Sequence, residues 1–279
     1  MSPEGRLAEM QITGKTAIVL MLADPVDHIR GTLLINERFA RLGLDAVIVP
    51  IHVRPENLAG CLDAIRLMHN VRGLGLTIPH KIAAVPLMDE LTASARRLGA
   101  VNFVRRNPDG TLTGTNTDGA GFVTGVAANG VDVTRSRALV VGSGGVGRAI
   151  ALALADAGVP ELALANRDRL KAEELAREIA QCVPGCGVRV LDARQPDALD
   201  TIDLLVNATS LGMRQDDPLP VSIARLRRET VVAEVIVSPA MTPLLIEAAA
   251  RGCRVIGGAE MLTPQPPLVA EFLGLLQPG

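Results

Sequence analysis

Between Ile12 and Pro79 the apolar positions follow two rhythms in turn. The stretch ITGKTAIVLML (12–22) ends in six consecutive apolar residues and predicts a strand, whereas LLINERFARL (33–42) has the spacing of an amphipathic helix. LDAVIVPIHV (44–53) predicts a second strand. In ENLAGCLDAIRLMH, Leu58, Leu62, Ile65 and Met68 mark one helical face, and VRGLGLTIP (71–79) reads as a short strand that Pro79 stops. Helical segments carrying Met88, Leu91, Ala95 and Leu98 follow. Strand, helix, strand, helix, strand predicts a parallel α/β domain.

The second half holds the sharpest local pattern. LVVGSGGVGRAIALALADAG, from Leu139 to Gly158, is an apolar strand, a glycine-rich turn and an alanine-rich helix in direct succession. Gly142, Gly144, Gly145 and Gly147, with Ser143 and Val146 between them, suit a backbone that must turn tightly and approach a ligand. The helix that follows offers unpaired N–H groups and a positive dipole end to a pyrophosphate. ELALANRDRL supplies the next strand and completes a βαβ unit. The bland alternative is a glycine turn that binds nothing. Further strands are expected at 137–141, 161–165, 188–191, 203–207 and 231–236, and the small residues of NTDGAGFVTG (116–125) mark the boundary. The tail, SPAMTPLLIEAAARGCRVIGG and PPLVAEFLGLL, carries helical periodicity and is expected back against the first domain.

Composition narrows the function classes. With 279 residues, 48% of them apolar and 21% charged, the chain has room for two domains with substantial cores. Four Phe and no Trp or Tyr argue against base stacking, and a net charge of -2 gives no pull towards nucleic acid or an anionic membrane. Cys61, Cys182, Cys186 and Cys253 are scattered, so no metal site is expected. No signal-peptide h-region opens the chain and no run reaches bilayer length, which makes a cytoplasmic location the default expectation.

Taken together, GLTIPHK (75–81), GAVNFV (99–104), DGTLTGTNTDGAGF (109–122), GSGGVGRA (142–149), NR (166–167), NATSLGM (207–213) and GGAEMLTPQ (257–265) resemble the shikimate dehydrogenase family in order and spacing. The resemblance implies an α/β protein of two domains. Residues 1–118 with 238–279 would form a substrate-binding catalytic domain completed by C-terminal helices, and 119–237 a Rossmann-like dinucleotide-binding domain. It implies reversible reduction of 3-dehydroshikimate, or of a related substrate such as those of quinate or aminoshikimate enzymes. Lys81 corresponds to the family's catalytic lysine, able to exchange a proton with the substrate oxygen while hydride passes to or from nicotinamide. Asp118 would hold Lys81 and a substrate hydroxyl. Thr77, Asn102 and Gln265 match substrate contacts. Asn166, Arg167 and Lys171 match the clasp around the NADP 2′-phosphate, while Thr209 and Met213 fall in the segment expected near the nicotinamide.

Departures from the family pattern bear on specificity. In DPVDHIRGTLLIN (24–36), Ile29 and Gly31 stand where two serines bind the substrate carboxylate, with Arg30 between them as a candidate replacement. Gly75 replaces an asparagine and Val237 a tyrosine. Such losses predict unchanged redox chemistry on a changed substrate, or weak activity on the usual one. Asp168 replaces a threonine in the phosphate clasp and would repel a phosphate, so NADP is favoured over NAD by a modest margin. The expected partner is a small molecule, with the chain a monomer or homodimer. Two rivals stand beside this reading: a non-catalytic nucleotide-binding regulator, and a reductase of the folate-linked methylene dehydrogenase type.

Overall fold

A computed structural model describes residues 11–27, 29, 31–192 and 199–276. The chain divides into two compact units, 1–117 with 265–279, and 118–264.

The first unit is built on β1 (Ala17–Ala23), α1 (Gly31–Arg41), β2 (Ala46–His52), α2 (Leu58–Arg66) and β3 (Val71–Leu76). The single turn α3 (His80–Ala83), the two-residue β4 (Glu90–Leu91) and α4 (Ala93–Leu98) follow, then β5 (Phe103–Arg106) and β6 (Leu112–Thr115). The sheet order is β2-β1-β3-β5-β6-β4. β1, β2 and β3 are parallel as expected, whereas β5 runs antiparallel to both β3 and β6. The sheet is therefore mixed. The segment around Met88 and Leu91, expected to be helical, holds β4, and only Ala93–Leu98 coils. Thr92 caps that helix by accepting from Ala95 N.

One face of the sheet packs Ile35 and Phe39 of α1 with Phe103, Val269, Ala270 and Leu273. The other packs Leu58, Leu62 and Ile65 of α2 with Leu74, Val104 and Leu112. Full burial of side chains this size stabilises by about 1.5–3 kcal/mol each, so the 3.6-residue stripes of α1 and α2 suffice to dock them.

The second unit begins with α5 (Asp118–Ala128), β7 (Arg137–Val141), α6 (Gly145–Asp156), β8 (Glu161–Ala165), α7 (Arg169–Cys182) and β9 (Gly187–Leu191). It continues through β10 (Leu204–Asn207), β11 (Val231–Glu234), α8 (Pro243–Ala250), β12 (Arg254–Ile256) and α9 (Ala259–Leu262). Its strands are all parallel, ordered β12-β11-β10-β7-β8-β9. The order reverses between β7 and β10, the switch point where parallel α/β sheets bind ligands beyond their strand ends. At the opposite ends, the guanidiniums of Arg137 and Arg227 grip Asp203 and hold its carboxyl down to about 2.

The tail corrects an expectation. Residues 238–264 belong to the second unit: β12 extends its sheet beside β11, and Leu244, Leu245 and Ala248 of α8 enter its core. Only α10 (Gln265–Phe272) returns to complete the first unit. The physical reason is the RVI strand, whose edge hydrogen bonds fix what precedes it, and it went unread among the helical periodicities.

Candidate active site

In the first unit, β1, β2 and β3 end at one edge of the sheet, and the segments beyond them are laced by backbone bonds. Thr77 N donates to Leu22 O at 3.2 Å, Asp24 N to Ile78 O at 3.2 Å, and Val53 N to Ala23 O at 3.0 Å. His80 N closes a turn onto Thr77 O at 2.8 Å, and the buried His80 ring donates from Nε2 to Val53 O at 2.8 Å. That bond ties the turn carrying Lys81 to the end of β2 and sets the proton on Nε2. Lys81 O accepts from Val101 N at 2.8 Å, which seats α3 beside the start of β5.

Asn102 is the polar anchor of this edge. It is 4% exposed, its Oδ1 accepts from Thr117 N at 2.9 Å, and its Nδ2 donates to Thr117 Oγ1 at 3.1 Å. Asn116 Nδ2 reaches Ala100 O at 3.3 Å. Thr77, Lys81 and Asn102 therefore gather at one strand edge. Gln265 heads α10 in the same unit, and its buried Nε2 has no hydrogen-bond partner among the described residues. A buried donor left open is costly unless something binds it. Asp118 is buried and heads α5 in the second unit, directly after Thr117. Ile29 and Gly31 are half-buried, Val237 is exposed, and Arg30 lies outside the described residues.

A hydrogen-bonded pair that sequence reasoning missed sits at this edge: His52 Nε2 meets Asp24 Oδ1 at 2.7 Å. Asp24 follows the end of β1 and His52 closes β2, which pair in register, so two strand ends bearing opposite polar residues were the available signal.

In the second unit the glycine-rich turn leaves β7 with Gly142 at φ 105°, a left-handed conformation that side chains resist. Gly144 then occupies the N-cap of α6 with no side-chain cap, so the first N–H groups of the helix stay open. A Cβ on Gly147 would stand 2.0 Å from Gly142 O, so only glycine permits the turn to fold onto the helix. Ser143 Oγ is buried with no hydrogen-bond partner among the described residues, while Ser143 N donates to Asn166 Oδ1 at 3.2 Å. Asn166 Nδ2 donates in turn to Asp168 O at 2.8 Å. Thr209 packs beside Gly142. Arg167 and Lys171 are exposed, and Lys171 Nζ lies 3.9 Å from Asp168 Oδ2. Asp168 occupies the N-cap of α7 without making a side-chain cap bond. Met213 is exposed. Open amides, a close backbone approach and an unpartnered hydroxyl suit a pyrophosphate. Among the described residues no acidic, His or Cys cluster has metal-binding form, and no helix is long and apolar enough to cross a membrane.

Comparison with known proteins agrees with the motif order. Residues 21–104 match the family model described as the shikimate dehydrogenase substrate binding domain, and residues 126–212 match that of shikimate / quinate 5-dehydrogenase. The shikimate dehydrogenase (NADP(+)) of Paramagnetospirillum magneticum is 38% identical over 257 residues, covering 91% of each chain. The structure of shikimate 5-dehydrogenase from Listeria monocytogenes in complex with shikimate and NAD superposes with a TM-score of 0.86 at 30% identity, over 96% of this chain and 94% of that one. The ligand-free 5-ketofructose reductase of Gluconobacter sp. strain CHM43 gives 0.84 at 31% identity, over 94% of each. The chain belongs to the shikimate dehydrogenase family of oxidoreductases.

Proposed function

We propose that the protein interconverts a cyclic polyhydroxy carboxylic acid and its ketone, of the shikimate and 3-dehydroshikimate type or a variant of it, with NADP(H) as cofactor. The observation that carries this reading is the assembly of Thr77, Lys81 and Asn102 at one strand edge, in the unit that also holds the orphan donor of Gln265. In this reading Thr77, Asn102 and Gln265 hold substrate oxygens, and Lys81 moves the proton at the reacting oxygen. Asp118 is the second catalytic group of this reading. Gly142, Gly144, Gly145 and Gly147 present the backbone to the pyrophosphate, with Ser143 Oγ as a further hydrogen-bonding group and Val146, Thr209 and Met213 nearby. When bound, the nicotinamide gives or takes the hydride. Absorbance change of NADPH with 3-dehydroshikimate and related ketones tests the reading directly, and absence of turnover on every ketone would leave the nucleotide-binding regulator in its place.

A second reading concerns substrate, and Ile29, Gly31 and Val237 favour it. None carries a side-chain hydrogen-bonding group for a carboxylate, and one of the similar structures is a reductase of a ketone sugar. A lost hydrogen bond to a charged group costs about 1.5–3 kcal/mol, so shikimate is expected to show a KM about ten- to a hundred-fold above that of the best substrate in a panel. The panel should include quinate, aminoshikimate and neutral polyhydroxy ketones. Restoring Ser at positions 29 and 31 should lower the shikimate KM. High native efficiency with shikimate would reject this second reading and return the carboxylate to Arg30 or to water.

Arg167 and Lys171 would contact the 2′-phosphate, with Asp168 opposing it. The 3.9 Å approach of Lys171 to Asp168 supports this, because the acid engages a cation that the phosphate needs. Asp168→Thr should raise the NADPH-over-NADH ratio of kcat/KM by about two- to fivefold, the size of an exposed charge interaction. A ratio that stays fixed, or a strong native preference for NADH, would overturn this assignment.

A further inference from the structure

The second unit buries a carboxyl to which the reading above gives no task. Glu234 ends β11 and is 1% exposed. Its Oε1 accepts from Asn207 Nδ2 at 2.9 Å and from Thr242 Oγ1 at 2.8 Å, while its buried Oε2 makes no hydrogen bond among the described residues. Burial pushes the carboxyl above its ordinary range, and outweighs those two donors and the nearby backbone amides of Val235 and Ile236.

Asn207, wholly buried at the end of β10, is the neighbour in register with Glu234. Its Nδ2 also donates to Leu211 O at 3.0 Å, and its Oδ1 accepts from Thr209 N at 3.0 Å and Thr209 Oγ1 at 2.7 Å. The amide has one orientation that satisfies all four: Glu234 Oε1 and Leu211 O both take its donor, and Thr209 N requires its acceptor. The loop so held presses on the glycine-rich turn. Ala208 O and Thr209 Cγ2 stand 2.8 and 2.9 Å from where a Cβ on Gly142 would be, and Ala208 Cβ stands 3.2 Å from that of Gly147.

We infer that Glu234 is a positioning residue for dinucleotide binding, acting through Asn207 to hold Ala208 and Thr209 against Gly142 and Gly147. The inference rests on the glycine-rich turn being the dinucleotide site. Only an acceptor at Oε1 is required, so the amide of glutamine can serve and an apolar side chain cannot.

NADPH binding by the full chain, followed by fluorescence titration, tests this for the wild type, Glu234→Gln and Glu234→Leu. Adenosine 2′-phosphate, which lacks the pyrophosphate and nicotinamide, serves as a second probe. Glu234→Gln should bind NADPH within about twofold of wild type, while Glu234→Leu should weaken it by roughly tenfold, as for one lost buried hydrogen-bonded link. Adenosine 2′-phosphate should bind all three alike. A purely structural role would change melting temperature and leave the contrast between probes unmoved. Equal NADPH affinity for Glu234→Leu and wild type, or equal impairment of Glu234→Gln and Glu234→Leu, overturns the inference while the dinucleotide reading stands. Absence of NADPH binding by the wild type overturns both. Should Glu234→Leu not fold, Glu234→Met, an apolar side chain of similar length, takes its place: weakened NADPH binding supports the inference and unchanged binding overturns it.

Discussion

Replacing Lys81 with alanine should lower turnover by about 10²–10⁴-fold, the range that a positioned acid–base group contributes. The expectation follows from the way its backbone is fixed. The turn that carries Lys81 is closed by His80 N on Thr77 O, locked to β2 by the His80 ring, and joined to β5 through Val101 N. A surface lysine would need none of these restraints. The loss should fall on kcat, because the proton moves only as the reacting oxygen changes, and NADPH affinity should change little. Steady-state rates with the best substrate, alongside the nucleotide dissociation constant, measure both clauses. Turnover that survives the substitution would remove Lys81 from the chemistry.

Gly147→Ala should weaken NADPH binding by about ten- to a hundred-fold, since forcing atoms into a packed place costs about 1–3 kcal/mol. Here the intruding methyl would stand 2.0 Å from the Gly142 carbonyl oxygen and 3.2 Å from Ala208 Cβ. Backbone cannot yield as a side chain does, so the turn must open and its amides lose their aim. Gly185→Ala, where nothing lies within 4 Å, is the matched control and should bind as wild type. Titration calorimetry compares the two. Unaltered affinity in Gly147→Ala would mean that the turn does not hold the nucleotide.

Much of the second unit was legible because β7, β8 and β10 each carry a short apolar run, and β7 and β8 lead into helical stripes. β7, β8 and β10 fall where LVV, LALA and LLVN place them. The first unit was harder. β5 (FVRR) and β6 (LTGT) are short and partly polar, so periodicity gave no strand. Their connection did carry a sign, Asn107-Pro108-Asp109-Gly110, where Gly110 takes φ 87° and donates to Asn107 O. β12 has only Arg254, Val255 and Ile256, too few for any period to register. For the site, motif order offered candidate residues and nothing of their supports. Thr117 as the partner of Asn102, His80 as a tether and Asp24 with His52 depend on distances between strand ends that no spacing encodes.

The return of α10 reverses the usual order in which a growing chain matures. Val269, Ala270 and Leu273 belong to the same core as Phe39 and Phe103, yet they are made after the whole of the second unit. Domains generally fold as they emerge, N-terminal first, but here the earliest segment must wait with that core open while its successor completes an independent sheet. The first unit is begun first and finished last. A chain stalled before residue 265 therefore carries a finished second unit beside an apolar face that chaperones recognise and proteases reach.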